Sequence, residues 1–240
     1  MKTIGEAVAR SPYPGRGIVI GRSDDGQHAM AAYFIMGRSE NSRNRVFIPD
    51  GDGLRTQAYD PAKLSDPSLV IYAPVRVLHD TTIVTNGDQT DTIYDFLARG
   101  DSFENALRTR TFEPDPPIYT PRISGVINRT TGDFSYKLAL LKSDGGNPSA
   151  CLRFFYEVET PLAGQGHLLH TYCGTGDAPS AFLGEPETVA IPGDVNALAE
   201  SIWNGLDNDN KIALFVRSLR LSDGQTRTRV INKYGEKGLQ

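Results

Sequence analysis

Between Gly37 and Arg45 the chain reads Gly-Arg-Ser-Glu-Asn-Ser-Arg-Asn-Arg, which puts three arginines, two serines and two asparagines beside one acid. Guanidinium forks, hydroxyls and amides together neutralise and hydrogen-bond a phosphate, so this segment is a candidate anion site; a solvated loop with surface ion pairs is the alternative. Asn86-Gly87-Asp88 is a second candidate. It brings an amide and accessible backbone N–H groups to a helix start, where a polar or anionic ligand could sit, although an ordinary turn reads the same way. A third is Phe112–Arg122, where Glu113, Asp115 and Arg122 lie on a stretch stiffened by four prolines. Prolines restrict where such side chains point, in a functional segment or in a plain connector. His167, His170 and Cys173 recur every three residues, but a strand would throw alternate members to opposite faces, so no metal site is expected. Asp50-Gly51-Asp52-Gly53 lacks the later acids and glycine of a calcium loop and reads as a turn.

These residues need a frame to hold them. Leu69–Leu78 is a near-continuous apolar run. After His79-Asp80 comes the β-branched run Thr81–Thr85, then the Asn-Gly turn, then a helix in which Ile93, Phe96 and Leu97 share a face and Thr90 can act as cap. Gly100 should end that helix, with Asp101 capping a second one and Glu104 three residues on as in a capping box. Upstream, Met1–Pro14 is weakly patterned and reads as extended. Ile18–Ile20, a turn at Ser23–Gly26 and the uniformly apolar His28–Met36 suggest a hairpin covered on both faces. Downstream, Ile123–Ile127, Phe134–Leu141, Ala150–Val158, His167–Cys173, Lys211–Leu221 and Thr226–Ile231 fit strands. Val195, Leu198, Ala199, Ile202, Trp203 and Leu206 form an amphipathic helix capped by Asp194.

A net charge of −4 gives no bulk case for nucleic acid or an anionic membrane, so any anionic ligand must meet locally concentrated cations. Two cysteines make no disulfide framework, and neither an eighteen-residue apolar run nor a signal pattern is present, so a reducing, cytoplasmic setting is expected. Asn128-Arg129-Thr130 matches a glycosylation acceptor by chance in that setting. The length suits one large domain over residues 1–240.

Sequential strands joined by short turns argue for largely antiparallel sheets. Strands apolar on both faces need cover on both, which two stacked sheets with helices outside would give. The expected fold class is α+β, a four-layer α-β-β-α sandwich, with a two-sheet sandwich decorated by helices as the alternative.

Three sets of residues carry a more specific signal: Gly15-Arg16 with Arg38-Ser39 and Asn44-Arg45; Asn86-Gly87 with Thr90-Asp91-Thr92-Ile93; and Thr120-Pro121-Arg122-Ile123. Their order and spacing resemble the archaeal-type IMP cyclohydrolase family over residues 14–128, though the segment between Arg38-Ser39 and Asn44-Arg45 is slightly longer here. The resemblance implies a sandwich like that of N-terminal nucleophile hydrolases, although Met1-Lys2 offers no N-terminal nucleophile without processing. It also implies a purine nucleotide monophosphate as ligand, closure of a formylated aminoimidazole carboxamide ribonucleotide to IMP, no cofactor and a homo-oligomer.

Cast in that reaction, Arg38, Ser39, Asn44 and Arg45, with Arg16, would hold the 5′-phosphate. Asn86 and the Gly87 backbone would meet the ring or carboxamide. Tyr72, which resembles a family active-site tyrosine, would donate to the formyl oxygen or else be a core tyrosine. Glu113 or Asp115 would be the base, and Arg122 would fix that carboxylate or the developing oxyanion. An amide or formamide hydrolase on the same scaffold, or a purine-nucleotide-binding protein without turnover, are the alternative functions.

Overall fold

The computed structural model describes residues 1–174 and 179–235. In chain order the first part forms β1 (Lys2–Thr3), α1 (Ile4–Ala9), β2 (Arg16–Arg22), β3 (His28–Met36), α2 (Glu40–Arg43), β4 (Arg45–Asp50) and β5 (Gly53–Ala58). The middle forms β6 (Val75–Leu78), β7 (Thr81–Thr85), α3 (Gln89–Ala98), α4 (Phe103–Arg108), β8 (Arg122–Thr130), β9 (Asp133–Asp144) and β10 (Asn147–Val158). The rest forms β11 (Gln165–His170), β12 (Tyr172–Cys173), β13 (Ser180–Ala181), β14 (Glu187–Ala190), α5 (Val195–Gly205), β15 (Lys211–Arg220) and β16 (Thr226–Asn232).

One sheet runs β1-β14-β11-β2-β3-β15-β16 and another β10-β9-β8-β7-β6-β5-β4. Among the described residues every ladder within them is antiparallel except β1 with β14. The protein is therefore α+β with mostly antiparallel sheets and few helices.

Strand alternation explains the doubly apolar strands. Ile18, Ile20, Tyr33 and Ile35 point into a core shared with Phe47, Val84, Ile123 and Leu140 of the other sheet. Their neighbours Val19, Ala32 and Phe34 point the other way, onto Val8 of α1 and Leu198 and Ile202 of α5. On the far sheet, Ile83, Val126 and Leu141 meet Ile93 of α3 and Phe103 and Leu107 of α4. Each sheet thus has a sheet on one face and a helix pair on the other, and burial of each such side chain is worth about 1.5–3 kcal/mol.

Several local expectations are corrected. Met1–Pro14 is not extended throughout: Thr3 accepts from Glu6 N and the Glu6 carboxylate accepts from Thr3 N, a capping box that starts α1. A six-residue helix is too short to reveal its period in sequence. The apolar run from Leu69 becomes a strand only at Val75, because Pro67–Ile71 is hydrogen-bonded as a turn. Asp88, not Thr90, sits at the N-cap position of α3; the Thr90 hydroxyl turns inward to Thr85 Oγ1 at 2.6 Å. Ser102 rather than Asp101 caps α4, and Glu104 bonds Lys137 instead of completing a box. The Asp194 cap of α5 is as expected.

Candidate active site

A cleft of about 540 Å³ opens where the ends of β2 and β3 meet α2, the 112–121 segment and Tyr172. Arg16, Arg38, Ser39, Arg45 and Asp115 all line it. Gly15 makes part of this possible: its φ is +79°, and a Cβ there would meet Tyr172 Cδ2 at 2.5 Å. With no side chain in the way, Tyr172 approaches closely, and the backbone N–H of Arg16 donates to Thr171 Oγ1 at 3.1 Å.

Two guanidinium groups, those of Arg16 and Arg45, belong to the cleft lining, and a third, that of Arg122, lies near Glu113 outside that lining. Arg45 is 1% exposed; its Nε donates to Ser42 O at 2.8 Å and its Nη2 to Met36 O at 3.3 Å, leaving Nη1 unpartnered. Burial pulls its proton affinity down, with Tyr72 opposing; a guanidinium nevertheless stays charged. Arg16 reaches Glu113 with Nη2–Oε2 at 3.5 Å, and its Nε is buried without a partner. Arg122 Nη1 lies 2.6 Å from Gln89 Oε1 and 2.7 Å from Asp88 Oδ1, again with Nε unpartnered. Each buried N–H left unsatisfied costs about 1–3 kcal/mol, a cost that an incoming anion or carbonyl oxygen would offset.

Glu113 lies among these cations at 1% exposure. Burial pushes its carboxyl above the ordinary range, while Arg16 and Arg122 pull the other way. Its neighbour Asp115 is engaged differently: Oδ1 accepts from Thr120 N at 2.7 Å, and Oδ2 lies 2.5 Å from Thr120 Oγ1. Thr120 Oγ1 is also 2.6 Å from Tyr172 OH, whose phenol is pushed up to about 12 by burial. Asp115 thus spends both oxygens on Thr120 while Glu113 faces the Arg16 guanidinium, so the geometry separates two acids that sequence alone left equivalent.

Tyr72 is buried, and its hydroxyl lies 2.7 Å from that of Tyr33. Burial raises both phenols, and the nearby Arg16 and Arg45 charges oppose the rise. Two hydroxyls bonded to each other use one proton between them, so the other is left to point at a third group.

Tyr72, Glu113 and Arg122 are not among the residues that line the cleft, and Asn86, Gly87 and Asn44 do not line it either. Asn86 is fully buried; its Nδ2 donates to Pro121 O at 2.9 Å, and its Oδ1 accepts from Ile123 N and Gln89 Nε2, both at 2.9 Å. It ties the turn to β8 rather than offering a free amide. Gly87 lies against the guanidinium of Arg122, where a Cβ would meet Nη1 at 2.6 Å. Asn44 exchanges two bonds with the Asp60 backbone, at 2.8 and 2.7 Å, and lines a different cavity. Ser39 accepts from Ser42 N at 3.2 Å, and the Arg38 guanidinium lies 4.4 Å from the centroid of the Tyr13 ring. Tyr13, Tyr33, Gln89 and Tyr172 were not foreseen. Tyr33 sits inside an apolar run, and the others have no local pattern that marks them. His167 Nδ1 pairs with Tyr136 OH at 2.5 Å, His170 Nδ1 with Tyr172 O at 2.8 Å, and Cys173 packs against the core between the sheets, so the evenly spaced trio serves separate contacts.

The cleft has cations in its wall, with a perturbed carboxyl and a tyrosine pair buried nearby, an arrangement of the kind found at enzyme sites. The chain matches the family described as IMP cyclohydrolase-like protein over residues 13–224, and it belongs to that family. It is 29% identical over 171 residues to the IMP cyclohydrolase of Methanopyrus kandleri, an alignment covering 70% of this chain and 79% of that protein. It is 30% identical over 141 residues to that of Methanocella arvoryzae, covering 57% of this chain and 66% of the relative. A third, from Methanothrix thermoacetophila, is 30% identical over 120 residues, covering 48% and 58%.

Proposed function

We propose that this protein is an IMP cyclohydrolase, closing the purine ring of 5-formamidoimidazole-4-carboxamide ribonucleotide to IMP in purine biosynthesis. The observation that carries this reading is the convergence of buried, incompletely partnered Arg16, Arg45 and Arg122 around Glu113, with Arg16 and Arg45 also lining the cleft. The four-layer arrangement is read as kin to the sandwich of N-terminal nucleophile hydrolases, and the whole chain as one domain of this type.

In the reaction the carboxamide nitrogen attacks the formyl carbon, and the formyl oxygen finally departs in water. Both reacting groups belong to one molecule, so orientation alone can lower the barrier by about 7 kcal/mol or more. Arg38, Ser39, Arg45 and Arg16 hold the 5′-phosphate, which fixes the ring. Glu113 takes a proton from the carboxamide nitrogen as the C–N bond forms, a role suited by a carboxyl raised toward neutrality. Tyr72 donates its hydroxyl proton to the formyl oxygen as charge develops there, and Arg122 steadies Glu113 and that oxygen. Glu113 then gives its proton back to the hydroxyl of the resulting carbinolamine, which leaves as water, while the former formamide N–H returns a proton to the Tyr72 phenolate as the C=N bond forms.

Steady-state turnover of the formylated ribonucleotide tests this. The hypoxanthine absorbance band should grow in, and the acid limb of the kcat–pH profile should lie above the ordinary glutamate value of 4.5, because Glu113 must be ionised to act. Glu113→Gln should abolish that limb with a rate loss of roughly 10²–10⁴-fold. Formate release without the band would instead make the protein a hydrolase.

A further inference from the structure

A second cavity, of about 410 Å³, lies across α2 from the cleft, within the usual size range of small-molecule sites. The short helix is the partition. Ser39 and Ser42 line the cleft, Glu40 and Arg43 line the second cavity, and Arg38 borders both. The opposite wall is Tyr59, the 3₁₀ turn Pro61–Lys63 and Tyr234. This wall is fixed in advance: the two Asn44–Asp60 bonds hold the start of the turn, and Tyr59 N donates to Asn44 O at 3.3 Å.

Two features of the lining point to a ligand. The rings of Tyr59 and Tyr234 stand 5.1 Å apart at 32°, too close to admit a third ring between them. A planar ligand would therefore rest on an open ring face. Beside them Arg43 is half-buried and donates to neutral acceptors, Gly37 O at 3.0 Å and Asn210 Oδ1 at 3.3 Å. It makes no ion pair among the described residues. Of the two acids in the lining, Glu40 faces Lys63 at 3.7 Å, and Asp60 spends Oδ1 on the N–H of Ala62 at 3.1 Å. Cationic charge is in surplus next to aromatic surface, a combination that suits a flat anion.

We propose that this cavity is a second ligand site, for a purine nucleoside monophosphate, with the base on the tyrosine pair and the phosphate among Arg43, Lys63 and Arg38. Because Arg38 also borders the cleft, filling the second site draws on a cation that the substrate phosphate uses, and the two sites oppose each other. This coupling, though not the binding itself, rests on the cleft assignment.

The test uses AMP, which cannot undergo the ring closure, titrated calorimetrically into the full chain and into two variants outside the cleft, Lys63→Glu and Tyr59→Ala. Wild type should bind AMP, and each variant should bind it roughly tenfold or more weakly while keeping its turnover in the absence of AMP. AMP should raise KM in wild type and lose that effect in Lys63→Glu, a substitution at an exposed side chain. Equal AMP affinity in all three proteins would place AMP in the cleft, and no binding at millimolar AMP would mean no second site; either result overturns the inference.

Discussion

The hydroxyl pair of Tyr33 and Tyr72 illustrates how one buried atom can set the chemistry of another. If Tyr33 donates to Tyr72, the Tyr72 proton is free for an acceptor in the cleft, with Arg16 and Arg45 favouring the developing phenolate. Tyr33→Phe removes a single oxygen from a fully buried ring that still packs on Phe47, at a centroid distance of 5.6 Å. We expect kcat to fall about tenfold or more with KM little changed, and the basic limb of the pH profile to move upward as the Tyr72 phenol loses its donor. A profile identical in shape to wild type would reduce Tyr33 to packing. Residue chemistry was legible in the sequence where it was concentrated. The cluster around Arg38, Ser39 and Arg45 stands out by composition. Tyr33 did not, because a tyrosine in an apolar strand looks like core until its hydroxyl has a partner. Asn86 was legible as important but not in its role, since only the fold brings the Pro121–Ile123 backbone to its amide.

At the scale of elements, the turn from β7 into α3 works as a seat for Arg122. Thr85, Gly87 and Thr90 lock one another: both hydroxyls reach Gly87 O, at 2.8 and 3.0 Å, and Gln89 bridges Asn86 and Arg122. A methyl group on Gly87 would meet Arg122 Nη1 and Gln89 Oε1 at 2.6 and 2.7 Å, so the Arg122–Gln89 pair would have to shift to admit it. Gly87→Ala should therefore cost about 1–3 kcal/mol of stability, as overpacking does. It should reduce kcat/KM by considerably more than its melting shift suggests, which paired thermal and kinetic measurements on one preparation would reveal. Equal small effects would mean that Arg122 relaxes freely. Sequence located this turn through Asn-Gly and the β-branched run, yet placed the cap two residues late. Thr90 can serve as a cap or as an inward anchor, and only the nearby Thr85 hydroxyl decides between them.

Across the whole molecule, the two sheets enclose groups whose protonation is linked to folding. His167, against Tyr136 between the sheets, and His170, against Phe182, are both held below the ordinary histidine value by burial. A histidine with a depressed folded pKa stabilises above its unfolded value near 6.5 and loses that contribution as pH falls through the folded value. Glu113, raised in the folded state, works in the opposite sense over the acid range. The melting temperature should therefore drop between pH 7 and 5, with a smaller drop in His167→Gln than in wild type. Matching slopes would show that the histidine is not linked to unfolding. Layering was the most legible property at this scale, because strands such as His28–Met36 are apolar on both faces and require cover twice. The Gly15–Tyr172 approach across the cleft joins residues 157 positions apart and leaves no trace in local pattern. No helix among the described residues is long and apolar enough to cross a membrane.

The guanidinium groups of Arg16 and Arg45 are incompletely partnered in the cleft, and in the proposed function a nucleotide monophosphate completes them. A crystal structure with IMP bound tests it most directly. The phosphate should lie within hydrogen-bonding distance of Arg38 and of the free Nη1 of Arg45, with the hypoxanthine ring next to Tyr72 and Glu113. An IMP phosphate seated away from Arg45 and Arg16, or a base turned outward from Glu113, would contradict it.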